Sequence, residues 1–82
     1  MLLKVKILSP QDVLFEGQAK SVTFPGEQGV FEILPFHKRL ISRLVAGTLF
    51  VDEQAILIKR GVAQVDQNNV SAVVEEAENY WL

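Results

Sequence analysis

The chain contains no cysteine, a single histidine and a single tryptophan among its 82 residues. Without cysteine there is neither a disulfide framework nor a thiolate metal site, and the redox compartment stays open. With His37 alone, a histidine-rich metal centre is excluded, and a catalytic dyad would need a nucleophile beside that one ring. The serines, Ser9, Ser21, Ser42 and Ser71, all lie outside a Gly-x-Ser-x-Gly context. A basic excess is missing as well: eight Lys and Arg against ten Asp and Glu leave a net charge of −2, which argues against a nucleic-acid binder. The longest uninterrupted aliphatic run is Ala55-Ile56-Leu57-Ile58, far short of the roughly 20 apolar residues a membrane-spanning helix needs. The N-terminal segment is interrupted by Lys4 and Lys6 and so lacks a signal-peptide core. The expectation is a soluble protein made without export.

What the chain does have is apolar content. Hydrophobic residues make up 49 % and charged residues 22 %, the balance of a folded domain rather than a disordered chain. Its length fits one domain, residues 1–82. A domain of this size buries only about 60 % of the surface its unfolded chain exposes, so its core must be dense. Charge is unevenly placed: residues 1–43 carry six basic and four acidic side chains, residues 44–82 two basic and six acidic. A polarised surface follows if the fold keeps the halves apart.

Period-two alternation runs almost throughout. Leu3, Val5 and Ile7 alternate with Lys4 and Lys6, the pattern of a half-buried strand, and Ser9-Pro10 ends it. A second strand is expected over 13–16, stopping at Gly17. Val22 and Phe24 share a face of the third. Pro25-Gly26 reads as a turn. Gly29 opens a strand in which Phe31 and Ile33 share a face, and Pro35 closes it. Further strands are expected over 40–45, 48–52, 55–59, 62–65 and 70–74, with Gly47 as a separator, Asp52-Glu53-Gln54 as a tight turn, Gly61 as a break or bulge and Asp66-Gln67-Asn68-Asn69 as a turn cluster. The tail, residues 75–82, reads as a possible single helical turn. Eight to ten short strands with regularly spaced turn signals predict an all-β sandwich or barrel whose inner faces share one core.

Few residues point to chemistry. Pro25-Gly26-Glu27-Gln28-Gly29 lacks the Gly-Lys-Ser/Thr ending of a phosphate-binding loop and opens no helix; a turn is its simpler reading. Adjacent carboxylates, Asp52 with Glu53 and Glu75 with Glu76, point to opposite faces of a strand and do not converge; they read as solvated turn and tail charges. Catalytic, cofactor-binding and metal residues are therefore not assigned. The informative segment is Leu34-Pro35-Phe36-His37-Lys38-Arg39-Leu40, which puts an aromatic, a histidine and two cations in one loop, with Arg43 close behind. Either Phe36 tucks back into the core, or the loop docks on an acidic or amide-rich partner, where the planar fork of arginine suits carboxylates. Tyr80 and Trp81 form a weaker candidate contact, since both residue types are enriched at interface hot spots.

The order of several anchors is similar to that of the epsilon subunit of F-type ATP synthase. They are Val13-Leu14-Phe15-Glu16-Gly17, Ser21-Val22-Thr23-Phe24-Pro25-Gly26-Glu27-Gln28-Gly29, Ile33-Leu34-Pro35 with His37, Ala46-Gly47-Thr48-Leu49, Arg60-Gly61-Val62-Ala63-Gln64-Val65 and Asn69-Val70-Ser71-Ala72-Val73-Val74. The resemblance covers about residues 3–77. It implies a flattened all-β sandwich of about ten short strands. It also implies a non-catalytic central-stalk subunit without cofactor, peripheral to the cytoplasmic face of the bacterial inner membrane, which binds the gamma subunit and the c-ring and turns with them. The loop implied to meet the ring matches residues 29–40, and the contact set becomes Val30, Phe31, Glu32, Phe36, His37, Lys38, Arg39 and Arg43. The sequence departs from the family where Gly-His-Ala-Pro is replaced by Phe36-His37-Lys38-Arg39, where Val30 stands for an acidic residue, where Glu32 stands for glycine, and where Arg60 stands for the first glycine of Gly-Gly. Most members continue into a C-terminal helical hairpin, whose place begins where this chain stops. The competing reading is a free-standing β-sandwich that binds a peptide or small ligand in a concave pocket.

Overall fold

A computed structural model describes residues 1–77. Among these, the elements are all strands: β1 (Leu3–Leu8), β2 (Val13–Ala19), β3 (Val22–Gly26), β4 (Gly29–Ile33), β5 (Leu40–Leu44), β6 (Gly47–Val51), β7 (Gln54–Asp66) and β8 (Asn69–Glu76). They form one sheet in the order β2-β1-β8-β7-β5-β3-β4, with β6 between β3 and β7. The β1–β8 pair is parallel, and the other pairs are antiparallel.

Every strand sends side chains into a single core. Leu3, Val5 and Ile7 come from β1, Val22 and Phe24 from β3, Leu49 and Val51 from β6, and Val70, Ala72 and Val74 from β8, joined by Ala19, Ile33, Leu44 and four residues of β7. A continuous sheet brings all its apolar faces to one cluster only by folding back on itself, which makes the sandwich. Each fully buried Val, Leu, Ile or Phe contributes about 1.5–3 kcal/mol relative to exposure. No polar side chain is buried among the described residues, so no desolvated group opposes that gain.

The folding-over happens at a corner that two neighbouring strands share. In β7, Ile56 and Ile58 point inward, then Ala63 and Val65 do. The even-to-odd change means that the alternation reverses between 58 and 61. The cause is a bulge: Ile58 faces Glu76 and Arg60 faces Glu75, so Lys59 is an extra residue without a partner on β8. The β5–β6 segment reverses at the same level, with Leu44 inward on β5, Leu49 and Val51 inward on β6, and Val45-Ala46 between them exposed. Val45 N–H donates to the Pro25 carbonyl at 2.9 Å, which ties this break to β3.

Several boundaries differ from the sequence expectation. The strands number eight among the described residues rather than about ten, because 55–59 and 62–65 are parts of one continuous β7. Gly61 neither breaks nor bulges this run: the bulge falls at Lys59, and Gly61 keeps its partners, Val74 on β8 and Leu44 on β5. β2 runs through Gly17, which pairs with Val5; an edge strand tolerates a glycine there. Pro25 and Gly26 belong to β3, and Glu27-Gln28 makes the turn. Gly26 is required by packing, since a Cβ would lie 2.7 Å from the Phe31 ring. Glu75 and Glu76 extend β8 on its ladder with β7 instead of starting a helical turn; the rest of that expected turn falls outside the described residues. Asp52 is more than a solvated charge: its Oδ1 accepts from Lys20 N at 2.9 Å and Ser21 N at 3.1 Å, so the β6–β7 turn holds the β2–β3 connection.

The corner makes a glycine contrast testable. A Cβ on Gly61 would lie 2.7 Å from the Val73 carbonyl oxygen and 2.8 Å from Val74 Cγ1, whereas one on Gly17 meets only the Phe15 ring at 3.6 Å. Gly61→Ala should therefore lower the unfolding free energy by about 1–3 kcal/mol through overpacking. Gly17→Ala should be neutral to slightly stabilising, by up to about 1 kcal/mol. Urea unfolding of the two variants side by side checks the difference.

Candidate functional site

The Phe36–Arg39 loop leaves β4 through a turn whose geometry its residues dictate. His37 N–H donates to the Leu34 carbonyl at 3.2 Å, which closes Leu34-Pro35-Phe36-His37. Proline presets φ at the second position, and Phe36 takes φ 68 at the third, the arrangement of a type II turn. Phe36 does not tuck into the core: it is 76 % exposed, and Leu34 beside it is exposed too. Phe36 N–H donates to Asn68 Oδ1 at 2.8 Å, so the loop is pinned to the β7–β8 turn. Asn68 also accepts Lys4 N–H on its carbonyl at 2.8 Å, which links the same turn to β1.

His37 is half-buried. Its Nδ1 lies 2.7 Å from the Lys38 carbonyl oxygen, which can only accept, so Nδ1 donates. Among the described residues no carboxylate or hydroxyl is bonded to the ring, whose one bond runs within the loop. Arg39 reaches Asp66 at 3.9 Å with both side chains largely exposed, an ion pair of little energetic weight. Lys38 is exposed. The loop thus presents an aromatic ring beside two cations.

The remaining expected contact residues lie elsewhere. Val30, 72 % exposed, and Glu32 point outward from β4, at the end of the strand order. Phe31 faces the other way, half-buried, with its ring 5.6 Å from that of Phe24; it supports the strand. Val30 and Phe31 share a shallow cleft of about 390 Å³ with Arg43 and Ile41, and the lining of that cleft includes none of Phe36 to Arg39. The structure therefore divides the expected set between a loop and a cleft, with Glu32 lining neither. Tyr80 and Trp81 fall outside the described residues.

A second surface was not anticipated. On the outer face of the sheet, Val13 pairs with Leu8, Leu8 with Val73, Val73 with Val62 and Val62 with Arg43. The row crosses five strands, and Val13 and Val73 are each 56 % exposed. Its Arg43 end opens into a groove of about 590 Å³ at the corner, where Val45, Ala46, Val62 and Val73 lie beside Lys59 and Arg60. Arg60 is paired with Glu75 at 3.6 Å. The signal was present in Ala72-Val73-Val74, where three successive apolar residues put an aliphatic side chain on both faces of a strand. An apolar row rimmed by charge is the profile of a protein contact rather than of a solvated face.

Comparison with known proteins places this geometry. Residues 2–80 match the family model described as the ATP synthase, Delta/Epsilon chain, beta-sandwich domain. The chain is 40 % identical over 80 residues to an ATP synthase epsilon chain of Nitratiruptor sp., covering 92 % of this chain and 62 % of that relative. To the epsilon chain of Rickettsia typhi it is 39 % identical over 84 residues, covering 94 % of this chain and 76 % of the relative. In fold it is similar to a chain in the Euglena gracilis mitochondrial ATP synthase structure of OSCP, F1 and c-ring, with TM-score 0.80 at 17 % identity over 94 % of this chain and 52 % of that one. A chain in the Tetrahymena thermophila central stalk and c-ring structure gives TM-score 0.74 at 19 % identity, over 90 % and 63 % of the two chains.

The loop's anchor is open to a direct test. Asn68→Ala removes the acceptor of the Phe36 amide and should cost about 1–2 kcal/mol, with faster hydrogen exchange at that amide. Asn68→Asp keeps an acceptor oxygen and should retain most of the protection. Native-state exchange followed by NMR separates the two.

Proposed function

The chain belongs to the β-sandwich family of ATP synthase delta/epsilon chains, and from that membership we propose that it is a non-catalytic central-stalk subunit, docking on a gamma subunit and on the c-ring. The observation that carries this reading is the family match over residues 2–80, which spans nearly all of the sandwich. The chain covers about 62 % of the length of the Nitratiruptor relative, so the proposal concerns what this sandwich does. Its two outward surfaces support a protein that holds two partners at once. The Phe36–Arg39 loop, with its exposed ring and cations, is assigned to the polar loops of the c-ring. The outer row Val13-Leu8-Val73-Val62 with its corner groove is assigned to gamma.

The division of labour follows from chemistry. A rotor joint has to transmit torque, so it needs an apolar contact of enough area to resist sliding and a polar contact that sets register. The outer row supplies the first and the basic loop the second. Binding places the subunit at the cytoplasmic face of a bacterial inner membrane, held there through its partners; no helix of the described residues is long and apolar enough to cross a membrane. A free-standing ligand-binding module would need polar groups converging in an enclosed pocket. The corner groove instead is open and mostly aliphatic.

Charge reversal and burial of a charge should separate the two contacts. Lys38→Glu combined with Arg39→Glu is expected to weaken c-ring capture by roughly tenfold while gamma still co-purifies. Val73→Glu, on the outer row, is expected to do the reverse. Pull-downs of the tagged full chain with purified gamma and with purified c-ring read both. Failure of the wild-type chain to capture either partner at micromolar concentration would sink the reading.

A further inference from the structure

The turn that presents the basic loop holds a conformation that its central residue disfavours. Three described residues other than glycine have positive φ: Phe36 at 68, Asp52 at 51 and Gln67 at 59. Asp52 and Gln67 are polar residues in tight hairpin turns, and Asp52 binds two amides with its own carboxylate. Asparagine and aspartate visit this region readily because a short polar side chain bonds locally. Phe36 has no such compensation. The third position of a type II turn is made for glycine, and an aromatic Cβ there crowds the following carbonyl.

Burial does not repay that strain. Phe36 is 76 % exposed, and it is not among the partly buried residues packed on the core, which are Leu14, Phe15, Phe31 and Leu40. What keeps the turn in place comes from another part of the chain, the Asn68 side chain 2.8 Å from the Phe36 amide. A strained backbone, an exposed aromatic ring and a long-range brace thus coincide at one residue. Glycine would satisfy the same brace, since the bond runs through the backbone, and would relieve the strain. Stability of the isolated domain therefore gives no reason for phenylalanine at this position.

We propose that Phe36 is the recognition residue of the loop, a ring held outward in a left-handed turn to enter an apolar notch between the polar loops of the c-ring. This rests on the docking reading above. Leu34, exposed on the same turn, widens the apolar contact. Lys38 and Arg39, both exposed, select a notch whose rim carries carboxylates or carbonyl oxygens. The partner surface implied is apolar at its centre and acidic at its edge. The turn fixes the direction of the Phe36 Cα–Cβ bond before contact, so little backbone ordering entropy is lost on docking.

The test compares wild type, Phe36→Gly and Phe36→Tyr as full chains. Urea unfolding measures stability, and interferometry measures affinity for the cognate c-ring in nanodiscs. Phe36→Gly should raise the folding equilibrium constant about fivefold by releasing the left-handed strain and weaken c-ring binding about thirtyfold by removing an aromatic anchor. Phe36→Tyr keeps the ring and should leave both within about twofold. Stability and affinity moving in opposite directions is the signature, since a purely structural residue would lower both. A glycine variant that binds like wild type, or that unfolds more readily, overturns the proposal and leaves the docking reading intact. A wild-type chain that does not bind the ring overturns the docking reading, and the proposal with it.

Discussion

The close approach of Gly61 to the backbone of β8, together with the unpaired Lys59 beside it, lets β7 change faces without ending. A strict period of two would have carried Arg60, Val62 and Gln64 into the core after Ile56 and Ile58. Burying an arginine there without partners would have cost several kcal/mol. One extra residue instead returns Ala63 and Val65 to the interior. The parallel reversal across Val45-Ala46 has the same effect on β5 and β6. Because the same level of two adjacent strands is affected, the sheet bends as a unit, and its eight strands enclose one core.

That corner also determines what the outside looks like. Val45, Ala46 and Lys59, which are displaced from the ladders, line the corner groove together with Arg60. The groove is continuous with the aliphatic row that crosses to Val13 on β2. The feature that closes the sandwich is therefore the one that shapes the surface assigned to gamma. The loop at Phe36 is braced separately, through Asn68 in the β7–β8 turn, so the two candidate surfaces rest on different parts of the sandwich. A substitution at one need not disturb the other, as the proposed docking on two partners requires.

Most of the fold was legible in local pattern. Strands β1, β3, β4, β6 and β8 follow alternations in which the inward side chains are mostly aliphatic or aromatic, β5 does so at Leu40 and Leu44 with Ser42 between them, and the turns at Asp52-Glu53 and Gln67-Asn68 carry the expected polar residues. What was missed was continuity. Gly17 and Gly61 look like stops, because glycine weakens a strand, but each has a pairing partner that keeps the ladder going. Pro25 looks like a turn former, yet it is accommodated in β3, where its carbonyl accepts the Val45 amide. The basic loop was legible as a cluster of residue types, whereas its separation from Val30 and Arg43 was not, since that depends on how β4 and β5 sit across the cleft.

The amino-acid sequence by itself determined the class of the protein: an all-β domain of short strands, with residue order specific enough to resemble one family and with an aromatic and cationic loop as its main candidate contact. These follow from local rules, the two-residue repeat of strands and the conformational limits of glycine and proline. The tertiary structure decided which alternations continue through a glycine, that outward aliphatic residues on β2, β1, β8 and β7 line up as one row, and that Phe36 stands in a left-handed turn braced from more than 30 residues away. Register between strands and long-range hydrogen bonds set these features, and both are properties of residues brought together by folding rather than of neighbours along the chain.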